Sequence, residues 1–361
     1  MTDSRATINL LNLTAPQVAT LVRSENWPAY RTGQILRWLY QRRVRTIEGM
    51  TDLSRGERQR LSDLATVGRS SHCTVLQAED GTRKLLLTLA DGMTIEAVLI
   101  PDEERLTLCV STQVGCMLDC GFCLTGTMGL RRNLKVNEIV DQVLTAQDHL
   151  TSGEVLTNLV FMGMGEPLAN LDALGTAITC LTDKSWGLGW SPRRITVSTA
   201  GLASRLNDIA ALGVNLAISL NGSTQEQRTA LMPAVSRIAS LGDLLAACRR
   251  VPLPPGRRLT FEYVLLAGVN DQIADAHRVV TLLKGIKSKV NLIPFNEFPG
   301  SRFRRPAEAD VLRFQSTLRA AGLDAFIRKS RGRDVLGACG QLGDLQDQGG
   351  SVALTHIGPR C

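Results

Sequence analysis

Cys116-Met117-Leu118-Asp119-Cys120-Gly121-Phe122-Cys123 puts three thiols within eight residues, spaced C-x3-C-x2-C. The stretch follows a predicted strand at 107–111. Soft thiolates suit zinc or an iron–sulfur cluster. A structural zinc site closed by protein wants four ligands, often as two C-x2-C pairs. Here three share one loop, and no fourth Cys or His lies nearby in the sequence. One corner of the metal group is therefore left to a ligand from outside the protein. A closed zinc site and plain core cysteines are the competing readings. Phe122, just ahead of the last thiol, either packs on an adenine or anchors the loop.

With 361 residues the chain can bury a large core, and its length suits two domains. Hydrophobic residues make up 44% and charged residues 21%, ordinary values for a globular protein. No apolar run approaches the ~20 residues of a membrane span. The start, MTDSRATINLLNL, lacks the layout of a signal peptide. Nine cysteines are an odd number in a chain too long to need disulfide staples, so a reducing, cytoplasmic setting without a membrane is expected. A net charge of +7 favours a polyanionic partner, because Lys and Arg neutralise phosphates.

Residues 14–64 read as a small helical unit, with Ile35, Leu36 and Leu39 at helical spacing. Ser54-x-x-Glu57 is a capping box for a helix ending near Leu61. Arg37, Arg42, Arg43 and Arg45 fit RNA phosphates or a solvated face equally well. The period then changes to strands at 73–77, 82–89 and 94–100, separated by Asp80-Gly81 and Asp91-Gly92, strong hairpin signals. Glu96, a lone acid in the third strand, reads by itself as a wet-face residue. From 105 onward strands at 107–111, 157–162, 194–199, 215–220, 258–266 and 289–295 alternate with helices at 136–150, 168–181, 202–212, 241–249 and 273–283. This implies parallel βα units. Six would make an open (β/α) barrel, and a doubly wound sheet has the same local pattern. A seventh strand at 325–329 follows a helix at 307–320. The Gly-rich tail from 346 is expected to be loose.

In α/β folds ligands gather at the C-terminal strand ends. Those ends carry Gly163-Met164-Gly165-Glu166-Pro167, Ser198-Thr199-Ala200-Gly201, Ser219-Leu220-Asn221 and Asn296. The glycines would let backbone approach a ligand and Glu166 would accept from an ammonium; alone, a structural glycine turn is the default. Two cysteines stand apart from the loop. Cys109 lies in the first predicted strand, and Cys339 follows the basic run Arg328-Lys329-Ser330-Arg331-Gly332-Arg333. Cys339, flanked by glycine and near cations, reads as an exposed nucleophile of low pKa. Cys73, Cys180 and Cys248 read as small buried hydrophobes.

Taken together, Cys109-x6-Cys116-x3-Cys120-x2-Cys123, Thr125-Gly-Thr-Met-Gly-Leu-Arg-Arg-Asn-Leu, Gly163-Met-Gly-Glu-Pro, Asn291-Leu-Ile-Pro-Phe-Asn and Ala338-Cys-Gly-Gln-Leu resemble the RlmN/Cfr family of radical S-adenosylmethionine RNA methyltransferases, over roughly residues 14–345. The resemblance implies an α/β fold: a partial (β/α)6 radical SAM barrel with a small helical N-terminal domain and a β-hairpin extension. The expected boundaries are 1–70 for the helical, RNA-binding domain, 71–104 for the β-hairpin extension, 105–345 for the barrel and 346–361 for the tail.

It also implies the chemistry. Cys116, Cys120 and Cys123 would hold a [4Fe–4S] cluster, and Gly165, Glu166, Ser198, Ser219, Leu220, Asn221 and Asn296 would bind S-adenosylmethionine, two molecules per turnover. Cys339 would take a methyl by displacement. A 5′-deoxyadenosyl radical would remove hydrogen from that methyl, and the methylene radical would add to an adenine. Glu96 would accept the C2 proton, and Cys109 would free the product by forming a transient disulfide with Cys339. The implied substrates are 23S rRNA and tRNA, methylated at adenine C2, with a donor such as flavodoxin and a monomeric enzyme. Cfr-like C8 methylation and a non-catalytic metal-binding RNA-binding protein are the alternatives. One departure stands out: the family commonly has Ser-Leu-His where this chain has Ser219-Leu220-Asn221, and an amide does not protonate as imidazole does.

Overall fold

The computed structural model describes residues 7–343; the tail expected to be loose from 346 lies outside the described residues, as does Cys361. The chain opens with β1 (Ile8–Asn9), α1 (Ala15–Ser24), α2 (Arg31–Tyr40), α3 (Arg55–Leu64) and β2 (Ala65–Thr66). Ile35, Leu36 and Leu39 are buried, as their spacing requires. The capping box forms: Ser54 Oγ accepts from Glu57 N at 3.2 Å, and Glu57 Oε2 from Ser54 N at 2.7 Å. α3 runs on to Leu64, past the expected end at Leu61. Then come three antiparallel strands, β3 (His72–Gln77), β4 (Arg83–Thr88) and β5 (Thr94–Asp102). They turn at Gly81 and Gly92, whose φ values of 85° and 80° suit glycine.

The remainder supplies β6 (Arg105–Cys109), β7 (Gln113–Gly115), α4 (Leu124–Thr127), β8 (Leu130–Asn133), α5 (Val136–Asp148), β9 (Asn158–Phe161), α6 (Leu171–Thr182) and β10 (Ile195–Thr199). After these follow α7 (Leu206–Ala211), β11 (Asn215–Ser219), α8 (Gln225–Leu231), α9 (Pro233–Ile238), α10 (Leu241–Arg250), β12 (Leu259–Leu265), α11 (Ile273–Leu283), β13 (Ser288–Pro294), α12 (Glu308–Ala320) and β14 (Ala325–Ile327). The β7–β8 pair and α4, α8 and α9 were not expected; each is too short to show a period. α8 starts at the cap Thr224, whose Oγ1 accepts from Gln227 N at 3.2 Å, and only Met232 separates it from α9, which opens on Pro233.

One sheet organises the molecule, in the order β14-β13-β12-β11-β10-β9-β6-β5-β4-β3. Its parallel part, β6 and β9 to β14, follows chain order without reversal. A doubly wound sheet has a switch point where that order reverses, so the barrel reading holds. Curvature follows from one cavity that touches Thr107 of β6, near one end of this run, and Ile327 of β14 at the other. The three antiparallel strands continue the same sheet, because β5 pairs with β6.

Side-chain alternation explains why the barrel is hollow. Leu159, Phe161, Ile195, Val197, Leu216, Ile218, Phe261 and Tyr263 are buried on the face covered by helices. Inward positions such as Thr107, Thr196, Ser198, Ser219 and Asn291 are small or polar and only half-buried. Bulky branched residues would fill a barrel; these leave room.

The helical unit docks on α5. Tyr40 meets Trp186 edge-on at 5.5 Å, and Asn137 N donates to Asn12 Oδ1 at 2.8 Å. Arg69, with 2% of its side chain exposed, binds Asp141 at 2.6 Å and Asp148 at 2.8 Å. Arg43 and Arg45 also reach Asp148, at 2.7 and 3.5 Å. These two cations thus serve the docking, so neither the phosphate nor the solvated-face reading describes them fully. Among the described residues no helix is long and apolar enough to cross a membrane.

Arg69→Met would strand the Asp141 carboxylate, 3% exposed, without its cation. The expected loss is about 3 kcal/mol in urea unfolding. Arg205→Ala, at the exposed pair with Asp208, should stay within about 0.5 kcal/mol.

Candidate active site

The cysteine loop is shaped by close backbone approaches. Gly115, at φ 75°, would bring a Cβ to 1.9 Å from the Gly129 carbonyl, and one on Gly126 would lie 2.8 Å from the Cys120 backbone. Cys116 N donates to Gly129 O at 3.0 Å, and Cys123 N to Cys120 O at 3.0 Å. The three cysteines line a cavity of about 150 Å³ at the C-terminal strand ends, with Phe122, Gly165, Glu166, Ser198, Ser219, Asn221, Asn296 and Cys339. Phe122 packs with Leu118, Phe295 and Phe303, as the loop-anchor reading expects, and it also lines the cavity.

The eight described cysteines are free thiols. Burial pushes Cys116 up to about 12 and also raises Cys120 and Cys123. A metal group must displace these protons to bind. Among the described residues no three His, Cys, Asp or Glu side chains already converge on a single-ion position. Three thiols on one loop, facing one cavity, suit a wider cluster ligated on three irons, so the donor set fits.

The glycine-rich turn grips the protein rather than lying open. A Cβ on Gly163 would meet Val110 and Ser111 at 2.7 Å, and one on Gly165 would meet Gln113 at 2.5 Å. Met164 N donates to Ser111 Oγ at 2.8 Å and Glu166 N to Gln113 Oε1 at 2.9 Å. Glu166 is 2% exposed. Its oxygens accept from Leu168 N at 3.0 Å and Ala200 N at 2.9 Å. Burial raises its pKa while those bonds lower it. A carboxylate has about four acceptor positions, so room remains for an ammonium.

The other strand-end residues divide. Ser198 and Ser219 face the cavity. Leu220 is fully buried in the core and does not line it. Asn221 takes φ 53°, a left-handed value that Asn tolerates. Its Oδ1 accepts from Val264 N at 2.9 Å and its Nδ2 reaches Met232 Sδ at 3.6 Å. Asn296 Nδ2 donates to the Cys339 carbonyl at 3.1 Å.

Cys339 stands where two cavities meet. One is the cluster cavity; the other also touches Cys109, Arg328, Lys329 and Arg331. Its loop is strapped to the cysteine loop by Leu124 N to Gly340 O at 2.8 Å and Thr125 Oγ1 to Leu342 O at 2.5 Å. Cys339 is exposed as expected, but the low pKa is corrected. Protein surrounds the thiol on its cavity wall, and this desolvation raises it to about 11 against the pull of Arg328. Cys109, 8% exposed, is raised by burial to about 12.

Glu96 is 5% exposed, which corrects the wet-face reading. Lys84 Nζ lies 2.8 Å from Oε1, and Oε2 accepts from Gly343 N at 3.0 Å. The carboxylate lies behind the strap and lines neither the cluster cavity nor the one that holds Cys109.

Three residues escaped the sequence. Arg228, fully buried, donates to Ser219 O at 2.9 Å, to Leu220 O at 2.7 Å and to Ala200 O. Nothing in its polar helix singles it out. Glu262 faces the cluster cavity; a charge inside the apolar run Leu259–Leu265 was the available signal. Arg328 was visible only as one cation in a basic run.

Residues 8–67 match the family described as the ribosomal RNA large subunit methyltransferase N-terminal domain, and residues 110–280 match the radical SAM superfamily. The chain is similar to the dual-specificity RNA methyltransferase RlmN of Solidesulfovibrio magneticus, 49% identical over 340 residues, spanning 92% of this chain and 96% of that one. The RlmN of Syntrophobacter fumaroxidans is 49% identical over 332 residues, with 92% and 96% covered. Among solved structures, a radical SAM methyltransferase from Sphaerobacter thermophilus superposes with a TM-score of 0.88 at 40% identity, covering 93% of this chain and 99% of that one.

Gly126→Ala should lose most of its iron after anaerobic reconstitution, because the new Cβ would strike the Cys120 backbone. Gly121→Ala, whose Cβ would sit 3.6 Å from Arg302, should keep it. Iron per chain and visible absorbance would read the difference; equal iron in both would contradict this account of the loop.

Proposed function

The chain belongs to the dual-specificity RNA methyltransferase RlmN family of the radical SAM superfamily, and from that premise we propose that it methylates C2 of an adenine in 23S rRNA, at the peptidyl transferase centre, and of adenine 37 in some tRNAs. One observation carries the reading: Cys339 borders both the cavity of Cys116, Cys120 and Cys123 and the cavity of Cys109. A metal-binding RNA-binding protein would not need either outlying thiol. The basic run at 328–333 and the net charge of +7 suit an RNA backbone. The expected setting is a monomer in the cytoplasm, with an electron donor such as flavodoxin.

Cys116, Cys120 and Cys123 would hold a [4Fe–4S] cluster, which with two S-adenosylmethionine molecules per turnover would supply a methyl group and a 5′-deoxyadenosyl radical. Glu166, already held by two backbone donors, would receive the methionine ammonium beside Gly165. Ser198 and Ser219 would offer hydroxyls to the rest of the cofactor. Asn221 has its oxygen committed to Val264 N, so its part is to shape the turn. Asn296 would hold the Cys339 carbonyl and so aim the thiol.

Cys339 would carry the methyl as a thioether, and loss of a hydrogen atom from it leaves a carbon radical that adds to C2. An sp² C–H is not nucleophilic, which is why a direct displacement would fail. Glu96 would then take the C2 proton as general base, and the unpaired electron left on the adduct would pass back to the bound cluster, leaving a closed-shell thioether. Lys84 Nζ lies 2.8 Å from Glu96 Oε1, and the Gly343 bond to Oε2 must open first. Attack of Cys109 on Cys339 Sγ would form the disulfide and break the sulfur–carbon bond to the new methyl carbon, which takes up a proton.

The test is mass spectrometry of RNA after reaction. Cys339→Ala should give no methyladenine, and Cys109→Ala should accumulate an RNA–protein adduct. Undiminished product from Cys339→Ala would overturn the mechanism; methyl on C8 would replace the C2 assignment with the Cfr-like one.

A further inference from the structure

A third cavity, about 440 Å³, occupies the N-terminal half of the barrel lumen, away from the cluster. That volume is in the range of small-ligand sites. Its mouth is marked by exposed Asp102, Glu103 and Arg105. It shares Ile100, Met162, Arg328, Lys329 and Arg331 with the Cys109–Cys339 cavity, so the two adjoin. Its lining holds five cations against three carboxylates.

Two buried groups there lack the partners that such groups normally have. Glu262, 4% exposed, accepts from Asn291 Nδ2 at 2.9 Å through Oε1, but Oε2 has no hydrogen-bond partner among the described residues. The Arg328 guanidinium has five donors, and its one hydrogen bond among the described residues is to Met162 Sδ at 3.3 Å. Arg328 and Lys289 attract the Glu262 carboxylate through space, but among the described residues no hydrogen bond joins them, so an open acceptor and open donors face one space. Ammonium and carboxylate on one small molecule would satisfy both.

We propose that this lumen binds a low-molecular-weight thiol bearing an α-amino acid group, which reduces the Cys109–Cys339 disulfide left by each turnover. The inference rests on the reading of Cys109 and Cys339 given above. Its carboxylate pairs with Arg328 and the neighbouring cations, and its ammonium with Glu262 Oε2. The ligand's thiolate attacks Cys339 Sγ, forming a mixed disulfide and releasing Cys109, which takes the proton. A second thiol attacks the ligand sulfur and frees Cys339. Two ligand thiols become one ligand disulfide, and two electrons and two protons pass to the protein.

To test it, the cluster-loaded enzyme completes one turnover with RNA in thiol-free buffer. Return of the two protein thiols is then followed by maleimide quenching and peptide mass spectrometry. L-cysteine, cysteamine, 3-mercaptopropionate and 2-mercaptoethanol are compared at equal thiolate concentration. L-cysteine should be fastest and saturable, by roughly tenfold over 2-mercaptoethanol, the worth of one charge-assisted hydrogen bond. Arg105→Glu/Lys289→Glu should erase that advantage and leave the 2-mercaptoethanol rate unchanged. Rates that follow thiolate concentration alone in the unaltered enzyme would overturn the proposal and leave the methylation mechanism standing. Absence of a Cys109–Cys339 disulfide after turnover would overturn that mechanism, and this proposal with it.

Discussion

The hydrogen bonds that hold residues 338–343 against the rest of the barrel are the constraint on which the site depends. That segment has no regular secondary structure, so these bonds, with the buried Leu342 and Ala338, hold the Cys339 backbone in place. Leu124 N, Thr125 Oγ1 and Asn296 Nδ2 bind three of its carbonyls, Gln341 Nε2 reaches Glu297 O at 2.6 Å, and Gly343 N binds Glu96. Each such bond is worth about 1 kcal/mol net. The sum places a thiol accurately yet remains small enough to open. Glu96 makes the point directly, since the carboxylate assigned to proton transfer is also one end of the strap.

A second constraint lies behind the cavity. Strands β10 and β11 end at Thr199 and Ser219, and carbonyls just beyond them lose the ladder that would satisfy them. Arg228 supplies the missing donors to Ala200, Ser219 and Leu220. Burial lowers its pKa to about 10, with Cys120 pulling the other way, so it stays cationic at neutral pH. A fixed positive charge therefore stands behind a loop that must carry thiolates, and the strand ends hold their spacing without water.

How much of this was legible depended on whether a residue's part was local. The Ser54–Glu57 cap and the Asp-Gly turns are short-range facts, and each formed as read; the cysteine spacing puts three thiols on one loop that faces one cavity. The strand–helix alternation was equally plain, but barrel and doubly wound sheet share it; only the unreversed strand order separates them. Roles set by distant partners could not be read. Glu96 by itself reads as a wet-face acid, but Lys84 and Gly343 enclose it. The cations near Cys339 promised a low pKa, yet desolvation outweighs Arg328. Arg43 and Arg45 looked free because Asp148 is about a hundred residues away in the chain.

The hollow lumen follows from the same alternation that builds the core. Outward positions are apolar because helices cover them; inward ones are free to be small, and the chain uses that freedom to keep two reactive zones apart. Cys116, Cys120 and Cys123 line one cavity, Cys109 another, and Cys339 alone among the described cysteines borders both. A thiol S–H is a ready hydrogen-atom donor, so a resolving cysteine beside the cofactor would quench a carbon radical before it met the base. A resolving cysteine too far away would leave the RNA bound to the protein. Under the proposed mechanism Cys109 would meet both demands by its place: it is buried, lies outside the cluster cavity and shares the second cavity with Cys339.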